Sequence, residues 1–158
     1  MSASPSASPG LSLKVKRTIQ APREKVFAAW TEQAQLENWM CRNATNDPRY
    51  VAFDMRPGGT NKMEIRISDG SVYHQRTTFR EIKPPERLVF TWGWDKFSVS
   101  GQKLESQDDT LVTVTFYEQG NATELVLKHE FFQSAEMCER HERGWNACFD
   151  LLTKALAA

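Results

Sequence analysis

Several things are scarce in this sequence, and each scarcity removes a class of function. Net charge is one of them. Twenty Lys and Arg balance 20 Asp and Glu across 158 residues, so no net field draws the chain to nucleic acid or to an anionic membrane surface. Apolar runs are short, and none approaches the ~18 residues of a bilayer-spanning helix. Cysteine is sparse: Cys41, Cys138 and Cys148 are odd in number and lack CxxC spacing. That argues against a disulfide framework and against a zinc site, and it fits a reducing cytoplasm. No GxSxG, P-loop, Rossmann fingerprint or HExxH occurs, so no cofactor is expected. Met1 to Gly10 has neither a basic n-region nor an apolar h-region and is no secretory signal. Its Ser, Ala and Pro cannot bury anything, which predicts a disordered tail over 1–10. Residues 11–158 then form one domain by length.

Alternation dominates what remains. Leu13, Val15, Arg17 and Ile19 share one face of a first strand, and Lys14, Lys16, Thr18 and Gln20 share the other. Pro22 opens a helix near 22–31 carrying Val26, Phe27 and Trp30. A second short helix, 33–40, presents Leu36, Trp39 and Met40. Strands follow for most of the next ninety residues. Tyr50–Met55 ends at Arg56-Pro-Gly-Gly59. Met63, Ile65 and Ile67 alternate up to Asp69-Gly70, and Tyr73, Gln75, Thr77 and Phe79 alternate up to Pro84-Pro85. Leu88, Phe90, Trp92 and Trp94 make the next inward set, with Val112, Val114 and Phe116 and then Leu125, Leu127, His129 and Phe131 after it. Between them, residues 95–109 are polar and poorly periodic and read as an unusually long loop.

The chain ends in a long amphipathic helix with Ser134 as its N-cap. Cys138, His141, Trp145, Cys148, Phe149, Leu152 and Leu156 fall within an arc of roughly 100°, and the helix is roughly 35 Å long. Strands with one wet face make an antiparallel sheet covered on one side only, and this helix is the element able to cover it. The fold class is therefore α+β: about six to seven antiparallel strands around a long C-terminal helix, with two short helices after the first strand.

Six segments carry a resemblance. They are Arg17-Thr-Ile-Gln-Ala-Pro-Arg-Glu-Lys-Val-Phe27, Leu36-Glu-Asn-Trp39, Arg56-Pro-Gly-Gly59, Pro85-Glu-Arg-Leu-Val-Phe-Thr-Trp92, Thr123-Glu-Leu-Val-Leu-Lys-His129 and His141-Glu-Arg-Gly-Trp145. In order, from about residue 13 to 156, they resemble the START-related helix-grip (SRPBCC) superfamily. Within it they resemble the branch named after the C-terminal domain of the 90-kDa heat-shock-protein ATPase activator. The resemblance implies a curved sheet gripping the last helix, with a deep cavity between them that takes small, often apolar molecules. Some relatives act as cyclases or as chaperone partners.

Eight residues are the expected ligand contacts: Arg17, Tyr73, Gln75, Phe79, Trp92, His129, His141 and Trp145. Arg17 stands in register with apolar neighbours, so its guanidinium reaches the cavity rim, pairs with an acidic side chain, or orients an anionic or carbonyl group of a ligand. His129 and His141 form either a satisfied buried pair or a ligand-binding or basic site near neutral pH. No Asp or Glu stands beside them on the inner face. A metal site built from them and Cys138 lacks a fourth ligand. Trp145 either anchors the helix or stacks on a ligand. Gly144, costing ~1 kcal/mol in a helix, implies close backbone approach to a neighbour. So many polar groups among aromatics describe a pocket rather than a dry core. The expected function is binding of a small hydrophobic or amphipathic molecule. A cavity enzyme of cyclase or hydrolase type using a histidine with Arg17, and a co-chaperone-like module acting on the 90-kDa chaperone, are the alternatives. The expected state is monomer or homodimer, with the aromatic run at 92–97 as a dimer patch.

Overall fold

The computed structural model of the protein describes residues 11–43 and 46–157. The tail expected over 1–10 lies outside the described residues. In chain order the elements are β1 (Leu13–Ile19), α1 (Arg23–Thr31), α2 (Gln33–Trp39), β2 (Arg49–Ala52), β3 (Thr60–Arg66), β4 (Val72–Lys83), β5 (Arg87–Phe97), β6 (Lys103–Gln119), β7 (Ala122–Glu130) and α3 (Ala135–Ala157). The strands form one sheet in the order β1-β7-β6-β5-β4-β3-β2, antiparallel throughout. Chain neighbours pair in succession from β2 to β7. The first strand then joins the last, with Leu13 opposite His129 and Ile19 opposite Thr123.

The alternation seen in the sequence becomes the two faces of this sheet. Val112, Val114, Phe116, Leu125 and Leu127 are buried on the inner face, where α3 lies. Ser134 caps that helix, its Oγ accepting from the Met137 N–H at 3.1 Å. Glu136 in the first turn and Lys154 in the last complement the helix dipole. The buried stripe of α3 is Cys138, Trp145, Cys148, Phe149, Leu152 and Leu156. The two short helices pin one end of this sandwich. Trp30 of α1 meets Trp39 of α2 at a ring separation of 4.7 Å, Phe116 of β6 at 6.3 Å and Phe149 of α3 at 6.0 Å. The Trp39 indole N–H donates to the Ala29 carbonyl at 3.0 Å.

Three local expectations are corrected. Residues 95–109 are not a long loop: β5 continues to Phe97, β6 begins at Lys103, and a short turn joins them. Their polar residues build the outer face of the sheet. Asp95 binds the Arg76 guanidinium at 2.7 Å and the Ser106 hydroxyl at 2.7 Å. A register shift between Trp92 and Trp94, opposite Gln107 to Thr110, breaks the two-residue period and hides the strand in the sequence. At Gly93, inside this bulged stretch, a Cβ would meet the tips of the Arg76 and Asp109 side chains that reach across it, so a larger residue there would have to displace that ion pair. The strand expected at 50–55 is shorter, Arg49–Ala52. The aromatic run at 92–97 is no exposed patch: Trp92 is buried in the core, and Trp94 and Phe97 are half-buried.

Candidate functional site

Between the sheet and α3 lies a cavity of about 440 Å³, within the range of small-molecule sites. Its sheet wall is aromatic and aliphatic. Tyr73 of β4 and Trp92 and Trp94 of β5 stand side by side, with Trp94 at 6.0 Å from both other rings, and Ile65 and Ile67 extend the wall. Trp145, His141 and Gly144 of α3 close the opposite side, and Trp145 packs on Trp92 at 4.8 Å between ring centres. Arg42 and Arg140 border the cavity. Both cations are paired, Arg42 with Asp47 at 3.0 Å and Arg140 with Glu136 at 2.9 Å.

Of the eight residues expected to meet a ligand, Tyr73, Trp92, His141 and Trp145 line this cavity, while Arg17, Gln75, Phe79 and His129 do not. Arg17 reaches the opposite part of α3, where its Nη1 lies 2.9 Å from an Asp150 carboxylate oxygen and its guanidinium stands over the Phe149 ring at 5.9 Å. Gln75 is buried with its amide donating to the Arg76 carbonyl and the Thr77 hydroxyl. Phe79 packs against Phe90 in the core at 5.5 Å.

The two histidines separate into different roles. His129 has no exposed surface and both of its nitrogens are committed. The Trp145 indole N–H donates to Nδ1 at 3.0 Å, and Nε2 meets the Thr110 hydroxyl, which itself donates to the Trp92 carbonyl at 2.9 Å. This chain assigns the ring as neutral with its proton on Nε2. Burial, with a smaller contribution from the neighbouring His141, pushes its pKa down to about 2. His141 donates from Nδ1 to the Met137 carbonyl at 2.9 Å, leaving the Nε2 lone pair on a ring that borders the cavity. Burial holds its pKa below the usual value. The wall also contains a buried donor without a partner among the described residues, the Trp92 indole N–H. The cavity thus presents the His141 Nε2 acceptor within a largely apolar surface, while the Trp92 N–H is buried inside the wall. Among the described residues no three His, Cys, Asp or Glu side chains converge as a metal set.

Gly144 corrects a further expectation. A Cβ added there meets nothing within 4 Å, so the glycine marks open space over the cavity rather than close backbone approach. The remaining wall residues had uneven signals in the sequence. Trp94 shares a strand face with Trp92, and Ile65 and Ile67 lie on the alternating face of their own segment. Gln107 enters through the bulge, and Cys41 through the turn after α2, neither of which the periodicity marks.

The family model described as activator of Hsp90 ATPase homolog 1-like protein matches residues 20–157. Among solved structures, protein CV1439 from Chromobacterium violaceum aligns with a TM-score of 0.78 at 21% identity, over 94% of this chain and 99% of that one. A protein from Arthrobacter aurescens gives 0.78 at 23% identity, over 94% and 87%. The AHSA1 (SPO3351) protein from Silicibacter pomeroyi gives 0.72 at 24% identity, over 92% and 97%. At these identities the likeness is one of fold. No curated protein matches the chain by sequence.

Proposed function

Since the chain belongs to the activator of Hsp90 ATPase homolog 1-like family, we propose that it binds a small, largely apolar molecule between the sheet and α3. The observation that carries this reading is the 440 Å³ cavity walled by Trp92, Trp94 and Trp145, with open space over Gly144. A flat, aromatic or polyene-like molecule suits that wall. A hydroxyl or amide on it would donate to His141 Nε2. A hydrolytic or cyclase centre joining a cavity histidine to Arg17 has less support, because Arg17 is held by Asp150 and does not line the cavity that His141 borders.

The test is binding of the apolar dye N-phenyl-1-naphthylamine, followed by its own emission and by quenching of tryptophan fluorescence. Saturable one-to-one binding is expected. Gly144→Leu, which projects a side chain into the open space, weakens it by roughly tenfold or more, about 1.4 kcal/mol. Absence of saturable binding, or unchanged affinity in a folded Gly144→Leu variant, would overturn the proposal.

A further inference from the structure

The cavity wall holds two free thiols that the binding reading does not use, Cys41 and Cys148. They are 107 positions apart in the chain, yet the backbone N–H of Cys41 donates to Cys148 Sγ at 3.3 Å. Cys41 directly follows the C-cap of α2. Its φ of 58° is the left-handed conformation that glycine usually supplies after a helix. Cys148 stands one turn after Gly144 on α3. Helical side chains lean toward the N-terminus, so the thiol lies over the turn that contains Gly144. A Cβ at 144 would meet nothing within 4 Å, and Gly144 and Cys148 both line the cavity.

We propose that Cys148 is a nucleophilic thiol that captures small apolar α,β-unsaturated carbonyl compounds inside the cavity, with Cys41 as the residue that positions and activates it. The proposal rests on the reading that the cavity admits a small apolar molecule. The Cys41 backbone N–H donates to the Cys148 sulfur, and the adjacent Cys41 side chain acts in the same direction. They hold the Cys148 thiol below its ordinary pKa against the opposing effect of burial. Cys41 moves the other way, raised chiefly by its bond to Cys148 and by burial. Addition then needs no oxidant or reductant. The Cys148 sulfur bonds to the β-carbon and the alkene π pair moves onto the carbonyl oxygen. Solvent returns to the α-carbon a proton equal to the one the thiol released. Soft sulfur and a conjugated carbon skeleton match the aromatic wall of Tyr73, Trp92, Trp94 and Trp145. Cys138 is an internal control: it is free and buried but not part of the cavity wall, and its pKa is raised by burial and by Glu142 and Glu139.

The test uses the full chain and N-phenylmaleimide at one equivalent, read by intact mass and peptide mapping. Its saturated analogue N-phenylsuccinimide is titrated in parallel by tryptophan quenching. A single adduct on Cys148 is expected, forming roughly tenfold or more faster than any on Cys138. Cys41→Ala slows it by roughly tenfold, and Cys41→Ser, which keeps a hydroxyl donor, restores most of the rate. Cys148→Ser abolishes the fast phase, and N-phenylsuccinimide protects the wild type. Circular dichroism checks the fold of each variant. Labelling of Cys138 or Cys41 as fast as Cys148 overturns the proposal. Binding of N-phenylsuccinimide without labelling at Cys148 overturns it while leaving the cavity reading intact. Failure of both probes overturns the two together.

Discussion

Acidification from about pH 7.5 to about pH 5 should destabilise the folded protein through His129. In the unfolded chain this imidazole takes up a proton around its ordinary pKa of 6.5, whereas in the folded state burial holds it near 2. A group with a depressed folded pKa contributes its full stability above the unfolded value and loses it as pH falls toward the folded one. The window here is therefore about 6.5 down to about 2. Near pH 5 the unfolded state is about 1.5 units below its pKa. At about 1.4 kcal/mol per unit, that costs the fold about 2 kcal/mol relative to pH 7.5. The geometry gives the reason. Protonating Nδ1 would set a new N–H against the Trp145 indole N–H that now donates to it at 3.0 Å, in a site with no water-exposed surface. Asp95 and Asp69, whose carboxyls are held below 3.8 by their partners, lose their contributions at still lower pH. His141 shares the sign of His129, so the single residue is isolated by difference. Urea unfolding at both pH values, for wild type and for His129→Gln, should show wild type losing about 2 kcal/mol more than the variant. Equal pH dependence in the two proteins would refute the reasoning. So would a His129 ring resonance titrating near pH 6 in the native state, a measurement that stands even if the variant folds poorly.

Further predictions address α3. Trp145→Phe keeps an aromatic ring against Trp92 but removes the donor to His129 Nδ1, and should cost ~1–3 kcal/mol in chemical denaturation. Trp145→Ala should cost ~3–5 kcal/mol, and a variant melting near wild type would show that the ring does not anchor the helix. Gly144→Ala places a methyl in open space within a helix and should raise stability by up to about 1 kcal/mol. A loss instead would mean that a neighbour closes on that position in solution.

The periodic part of the fold was legible because it is local. Two-residue alternation in β1, β3, β4, β5, β6 and β7, and the arc from Cys138 to Leu156 in α3, follow from backbone geometry acting on adjacent residues. Legibility failed where the period broke. The bulge opposite Gln107 made a continuous strand look like a long loop, and polar residues such as Asp95 and Ser106 face outward to bind one another. At the site, facing the right side proved a weaker condition than reaching the cavity. Gln75, Phe79 and His129 are inward residues whose side chains are used up by neighbours, and Arg17 is held by Asp150.

By itself, the sequence determined the fold class, the element order, the inward face of the regularly alternating strand segments and the pairing of a one-sided sheet with a long C-terminal helix. Each follows from burial acting on patterns a few residues long. Tertiary structure alone decided which inward residues pack solid and which leave space. It decided which histidine is sealed and which keeps a free nitrogen, and that Cys41 meets Cys148. Those outcomes depend on how elements distant in the chain fit together, and no local pattern encodes the volume left between them.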